Sequence, residues 1–272
     1  MLNYRAIDVT AESLRGKIYI PGKEGTLTTE MIARTRQYGL LPYVLSPQPA
    51  AILSEVSAGN PVLVLQNLSF NWLPRWHFSI VTGFDLKEEL LILRSGNEKA
   101  LETPFSLFMK TWERADRWAI VINSPDQLPV TVEETKYVLA ALELELVGKT
   151  GAAHKAYETA TAKWPENETA WFGAGNTAYQ LGDYARATRF YKAYLEQNPD
   201  SASGWNNLAH SLMQLRCRED SLLAISCALA IEPGNAEFLD SEERLRTPPG
   251  PPPEGTASSN CPGVECPHFS PM

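Results

Sequence analysis

The chain has 272 residues, room for two compact domains and a tail, and its charge is uneven: residues 1–125 carry 13 basic and 12 acidic side chains, residues 126–272 carry 11 and 20. A net charge of −9 on the second half repels nucleic acid and anionic membrane surfaces, so neither is an expected partner there. No run approaches 18 consecutive apolar residues, so no membrane span is expected; Met1-Leu-Asn-Tyr-Arg5 lacks the pattern of an export signal, and the chain as written is expected in the cytoplasm.

Residues 1–124 read as an α+β domain with an antiparallel sheet. Residues 29–38 predict a helix that gathers Met31, Ile32 and Ala33 and stops at Gly39. A strand at 41–45 follows, then a helix at 49–57 closed by Ala58-Gly59-Asn60, and a strongly apolar strand at 61–67. Strands at 76–84 and 90–94 are joined by the polar turn Asp85-Leu-Lys-Glu-Glu89, which makes them a hairpin. A helix around 105–113 and a strand at 118–122 complete the set.

His77 is the only histidine in the first 150 residues, and it opens a strand after the aromatic loop Ser69-Phe-Asn-Trp-Leu-Pro-Arg-Trp76. Asn60-Pro-Val-Leu-Val-Leu-Gln66 and Trp76-His-Phe-Ser-Ile-Val-Thr-Gly-Phe-Asp85 together resemble the histidine half of the papain-like peptidases related to the bacteriocin-processing, double-glycine-cleaving family. Gly59, Pro61, His77, Gly83, Phe84 and Asp85 match that motif, and Gly22-Lys-Glu-Gly-Thr-Leu-Thr-Thr-Glu-Met31 resembles the family's entry into its second helix. The resemblance spans roughly residues 2–122 and implies a papain-like fold with His77 as general base.

Such chemistry needs a thiolate within reach of the imidazole, commonly at a helix amino end that lowers the thiol pKa. The head has no cysteine. By the resemblance, Met1–Thr10 corresponds to the end of the helix that the nucleophile opens, so the nucleophile is expected upstream of Met1 and the 272 residues are expected to be inactive. At the place where relatives carry an orienting Asp or Asn stands Arg94-Ser95-Gly96-Asn97, so Ser95 or Asn97 is the candidate to orient His77. Asp85 is expected to cap its turn. An incomplete first helix should also leave the strand at 62–65 partly uncovered, forgoing roughly 1.5–3 kcal/mol for each large aliphatic side chain.

After a linker at 125–133, a 34-residue pattern recurs three times over 134–235. Tyr137, Trp171 and Trp205 share one column, Ala153, Ala187 and Ser221 a second, Tyr157, Tyr191 and Ile225 a third, and Pro165, Pro199 and Pro233 a fourth. Period and columns resemble the tetratricopeptide family, whose units are antiparallel helix pairs that bury their apolar faces by stacking. The middle unit matches best, at Trp171, Gly175, Ala187, Tyr191 and Pro199. Carried over by position, the resemblance implies a concave groove showing Phe172, Asn176, Tyr179, Asn206, His210 and Met213 to a peptide or protein partner, with Asn176 gripping the peptide backbone. Residues 236–246 are expected to form a capping helix.

Residues 247–272, dense in Pro, Gly and Ser, are expected to be disordered. Cys217 and Cys227 fall at helical positions of the third unit, where a small buried thiol is ordinary. Cys261, Cys266 and His268 match no common zinc spacing, so neither a metal nor a cofactor is expected. Two functions stay open: a cysteine peptidase-like protein of the bacteriocin-processing type with a repeat module that recruits its partner, or a scaffold whose head does no chemistry. The resemblance also implies an envelope or periplasmic location if an upstream segment carries an export signal.

Overall fold

The computed structural model describes residues 1–10, 12–14, 27–247 and 261–267. Two compact units divide the chain, Met1–Ala152 and Ala153–Met272.

The first unit is built on a six-stranded sheet in the order β1-β6-β2-β3-β4-β5. Its elements are α1 (Thr28–Gln37), β1 (Leu41–Val44), α2 (Pro49–Ser57), β2 (Val62–Asn67), β3 (Trp76–Asp85), β4 (Leu90–Ser95), β5 (Glu98–Pro104), α3 (Phe105–Glu113), β6 (Ala119–Asn123) and α4 (Glu134–Leu146). All five ladders are antiparallel. β2 and β6 lie inside the sheet and are covered on both faces, which is why VLVLQN and AIVIN read as unbroken apolar runs rather than alternating ones. One face carries Val62, Val64, Val81, Leu91 and Leu93 under α2 and α3, where Ile52, Phe108 and Trp112 are buried. The other carries Leu63, Ile120 and Ile122, packed with Met31 and Ile32 of α1.

Three observations differ from the sequence expectations. Residues 98–104 form β5, an exposed edge strand of Glu, Lys and Ala with little β propensity. Its hairpin turn is Gly96-Asn97, with Gly96 at φ +57° where a β-carbon would be strained. The strand at 62–65 is largely covered: Val62, Leu63 and Val64 are buried, with Met1, Leu2 and Ile7 packed on the Leu63 side, and only Leu65 is half-buried. Residues between β6 and α4 are also tied down. Buried Glu55 accepts from the Thr131 N–H and hydroxyl at 2.9 and 2.8 Å, and the Glu133 N–H donates to the Tyr43 hydroxyl at 2.8 Å.

The second unit holds α5 (Thr150–Lys163, which begins just before the division), α6 (Glu168–Gln180), α7 (Tyr184–Gln197), α8 (Ala202–Gln214), α9 (Arg218–Ile231) and α10 (Ala236–Arg246). The repeat columns have physical causes here. The indole N–H of Trp171 donates to the Pro165 carbonyl and that of Trp205 to the Pro199 carbonyl, both at 2.8 Å, so each tryptophan pins the turn six residues upstream. Asn167 and Ser201 cap the helices that follow those turns. Gly173 and Gly175 let the rings of Tyr157 and Tyr191 lie against the helix backbone: a β-carbon would meet them at 2.5 and 2.6 Å.

The cysteines and part of the tail depart from expectation. Cys217 is bonded to Cys261 and Cys227 to Cys266, so the two buried sulfurs of the third repeat are halves of disulfides rather than free thiols. Residues 261–267 form a strap on the repeat: Val264 and Cys266 join its core, Lys192 donates to the Pro262 and Gly263 carbonyls, and the Gly263 N–H donates to Asp220. Composition described this segment badly because cross-links replace the apolar burial it lacks. The rest of the expected disordered tail, 248–260 and 268–272, and the Gly22-to-Thr26 part of the peptidase-like motif lie outside the described residues.

Candidate functional site

Two places carry the residues singled out from the sequence. In the first unit, His77 opens β3 opposite Gln66 of β2, and cross-strand partners share a sheet face. Gln66 is buried and donates to the Thr111 hydroxyl at 2.8 Å. The β3–β4 register sets Ser79 opposite Ser95, which brings the Ser95 hydroxyl to 2.8 Å from His77 Nε2. Asn97 sits in the exposed β4–β5 turn and makes no hydrogen bond to the imidazole among the described residues. Burial pushes the His77 pKa below the usual histidine value, and the positive charge of Arg75 pushes it the same way. The ring is therefore neutral at pH 7, with Nε2 held by a hydroxyl and Nδ1 unbonded among the described residues. A neutral, oriented imidazole can take a proton from a partner on its open side. Asp85 stands at the far end of β3 and caps its turn through the Lys87 and Glu88 N–H groups.

In the second unit a cavity of about 290 Å³ is lined by Asn176, Tyr179, Gln180, Tyr191, Asn207 and His210. Asn176, Tyr179 and His210 were expected there. Asn176 Oδ1 accepts from the Tyr191 hydroxyl at 2.7 Å and from Asn207 Nδ2 at 3.2 Å, which fixes the amide. Its own Nδ2 donates to no group among the described residues. His210 Nε2 lies 3.1 Å from the Ser241 hydroxyl of α10, and burial, with Arg244 adding to it, lowers its pKa, so this ring is neutral too.

The other expected groove residues are spent elsewhere. Phe172 packs on Tyr194 and Tyr191 with centroids 5.0 and 6.0 Å away. Asn206 is buried, and Met213 packs on the core of the unit. Asn207, one position on, does what Asn206 was expected to do. Spacing alone does not choose between them, since Asn206 and Asn207 lie four and three residues short of one period after Asn176, offsets that share a helix face.

A second cavity, about 470 Å³, lies under the strap between Lys192, Leu195, Trp205 and Val264. Its cation, Lys192, is engaged by strap carbonyls. Cys217, Asp220 and Cys261 bring three potential ligand atoms within 4.8 Å, but both sulfurs belong to one disulfide and supply no thiolate.

Residues 139–202 match the family model of the tetratricopeptide repeat, and the chain carries a module of that kind. Over 125 residues the chain is 27% identical to Protein FlbA of Caulobacter vibrioides, an alignment that takes in 46% of this chain and 20% of FlbA. The chain thus spans about a fifth of the length of that curated relative. Among solved structures, the first TPR of Spaghetti (RPAP3) bound to an HSP90 peptide is similar at 16% identity and a TM-score of 0.40, covering 43% of this chain and 94% of that one.

Proposed function

We propose that this chain is a protein-interaction protein whose repeat groove holds an extended peptide segment of its partner. The carrying observation is Asn176: its carbonyl is fixed by Tyr191 and Asn207, so its amide N–H groups are aimed, without further ordering, at whatever occupies the cavity. A peptide carbonyl is the matching acceptor, and the Tyr179 ring and neutral His210 supply an apolar wall and one more hydrogen bond. The test is a phage-displayed octapeptide library panned on the full chain. Selected peptides should bind Asn176→Ala about 5- to 150-fold more weakly, the worth of about 1–3 kcal/mol for a buried hydrogen bond, at a temperature where circular dichroism shows the variant folded despite the lost partner of Tyr191 and Asn207. Equal binding to the variant overturns the reading.

A second reading, favoured by the Ser95-held neutral imidazole, is that the head is a papain-like cysteine-peptidase domain with His77 as its base and a nucleophile outside these 272 residues. Terminal sequencing of the protein from its own source tests it. An upstream Cys-Gly pair, with activity abolished by Cys→Ala and by His77→Ala alike, supports it; a native start at Met1 removes it. Two disulfides in one small module favour an oxidising compartment, hence the envelope or periplasm over the cytoplasm.

A further inference from the structure

Between β2 and β3 the chain puts its largest apolar side chains into solvent. Trp72 is 79% exposed and Phe70 60%, and Leu68, Leu73 and Trp76 are also exposed. The segment is nonetheless ordered. The Leu68 N–H donates to the Arg75 carbonyl at 2.9 Å and the Leu73 N–H to the Phe70 carbonyl at 3.1 Å, while Asn67 Oδ1 accepts from the Ser69 and Arg75 N–H groups. The Phe70 and Trp72 rings stack at 5.9 Å, 11° from parallel. Much of the loop's backbone is thus satisfied from within, and its apolar side chains are held outward together.

Cations ring the base of this tip. Arg75 is in the loop, and Arg114 at the end of α3 donates to the Ser69 carbonyl at 2.9 Å. One turn back on the same helix face stands exposed Lys110, and one turn before that exposed Leu107. None of Arg75, Lys110 and Arg114 pairs with a carboxylate among the described residues. The opposite end of β3 carries the acidic turn with Asp85, Glu88 and Glu89, so the sheet is cationic and aromatic at one end and acidic at the other, roughly 30 Å away.

We infer that the loop at 68–76 docks the head on a bilayer containing anionic lipid, Phe70, Trp72 and Leu73 entering the boundary of headgroups and acyl chains and Arg75, Lys110 and Arg114 meeting lipid phosphates. The shape favours a membrane over a peptide. The tip is convex, whereas ligand sites are concave. Neither the Trp72 nor the Trp76 indole N–H has an acceptor among the described residues, and an apolar ring with an unbonded N–H is the side chain that partitions to the bilayer interface. Screening limits the repulsion expected from the acidic second half to charges within about 8 Å of the surface at physiological salt.

The test uses the full chain with pure phosphatidylcholine vesicles and with vesicles containing phosphatidylglycerol. Sedimentation with the anionic vesicles and a blue shift of tryptophan emission are expected. Phe70→Ser with Trp72→Ser should lower the partition coefficient at least about tenfold. Arg75→Gln and Arg114→Gln should each lower it about fivefold on anionic vesicles alone. Leu86→Ser, an equally exposed apolar residue at the acidic end, should bind like the parent. The double serine variant alters only exposed side chains, and an unchanged circular dichroism melt establishes that it is folded. Absence of partitioning to either vesicle, or parental binding by that variant, overturns the inference. So does sedimentation equilibrium without lipid in which the variant dissociates a dimer, since the loop would then join copies of the chain.

Discussion

The two units hold themselves together over different sequence distances. In the second, a contact made once is made again one period later: the Trp171 indole to the Pro165 carbonyl and the Trp205 indole to the Pro199 carbonyl. In the first, nothing recurs. Arg5 reaches the Ile122 carbonyl at 2.7 Å across 117 residues, and β6, last of the strands in sequence, lies between β1 and β2. A stack of like units can be repaired or lost piece by piece, whereas a sheet closed by its last strand is held or lost together.

Reducing the two disulfides should test that contrast most strongly. Each bridge is worth about 2–4 kcal/mol, and the loss should appear by native-state hydrogen exchange in α8 and α9, leaving β2 and β6 protected. Equal loss in β6 would end the distinction. Glycine substitutions give a finer test in both directions. Gly175→Ala should destabilise by about 1–3 kcal/mol in urea unfolding despite the better helix propensity, because the Tyr191 ring has nowhere to go. Arg216 takes φ +67° at the repeat position where Gly148 and Gly182 stand, so Arg216→Gly should stabilise by up to about 1 kcal/mol. A destabilising result would mean that the Arg216 side chain matters more than its backbone.

The same contrast explains what could be read from the residues. The helix pairs were legible because each column recurs, and the β3–β4 hairpin because its turn is five polar-flanked residues between apolar strands. β5 was not, since an edge strand exposed on nearly every residue has no alternation to display, although Gly96-Asn97 was a hairpin signal. Strand order depends on closures such as Leu41 to Asn123 and Val62 to Val121 that no local pattern records. At the site, His77 stood out by motif, but choosing Ser95 over Asn97 as its neighbour needed the β3–β4 register. In the groove, position alone found Asn176, while the choice between Asn206 and Asn207 turned on a rotation of one residue. The disulfides were out of reach because four cysteines admit three pairings that spacing does not rank.

The bridges also impose an order on biosynthesis. They interleave, with separations of 44 and 39 residues, so the partners of Cys217 and Cys227 emerge from the ribosome well after the helices that carry the first cysteines. Until then the third repeat carries two unpaired thiols and depends on whichever oxidant and isomerase meet it once residues 261–266 have been made. A recombinant version stopped at Arg246, where α10 ends, would keep every helix of the described residues yet strand both sulfurs, and should yield mixed cross-linked species where the 272-residue chain yields one.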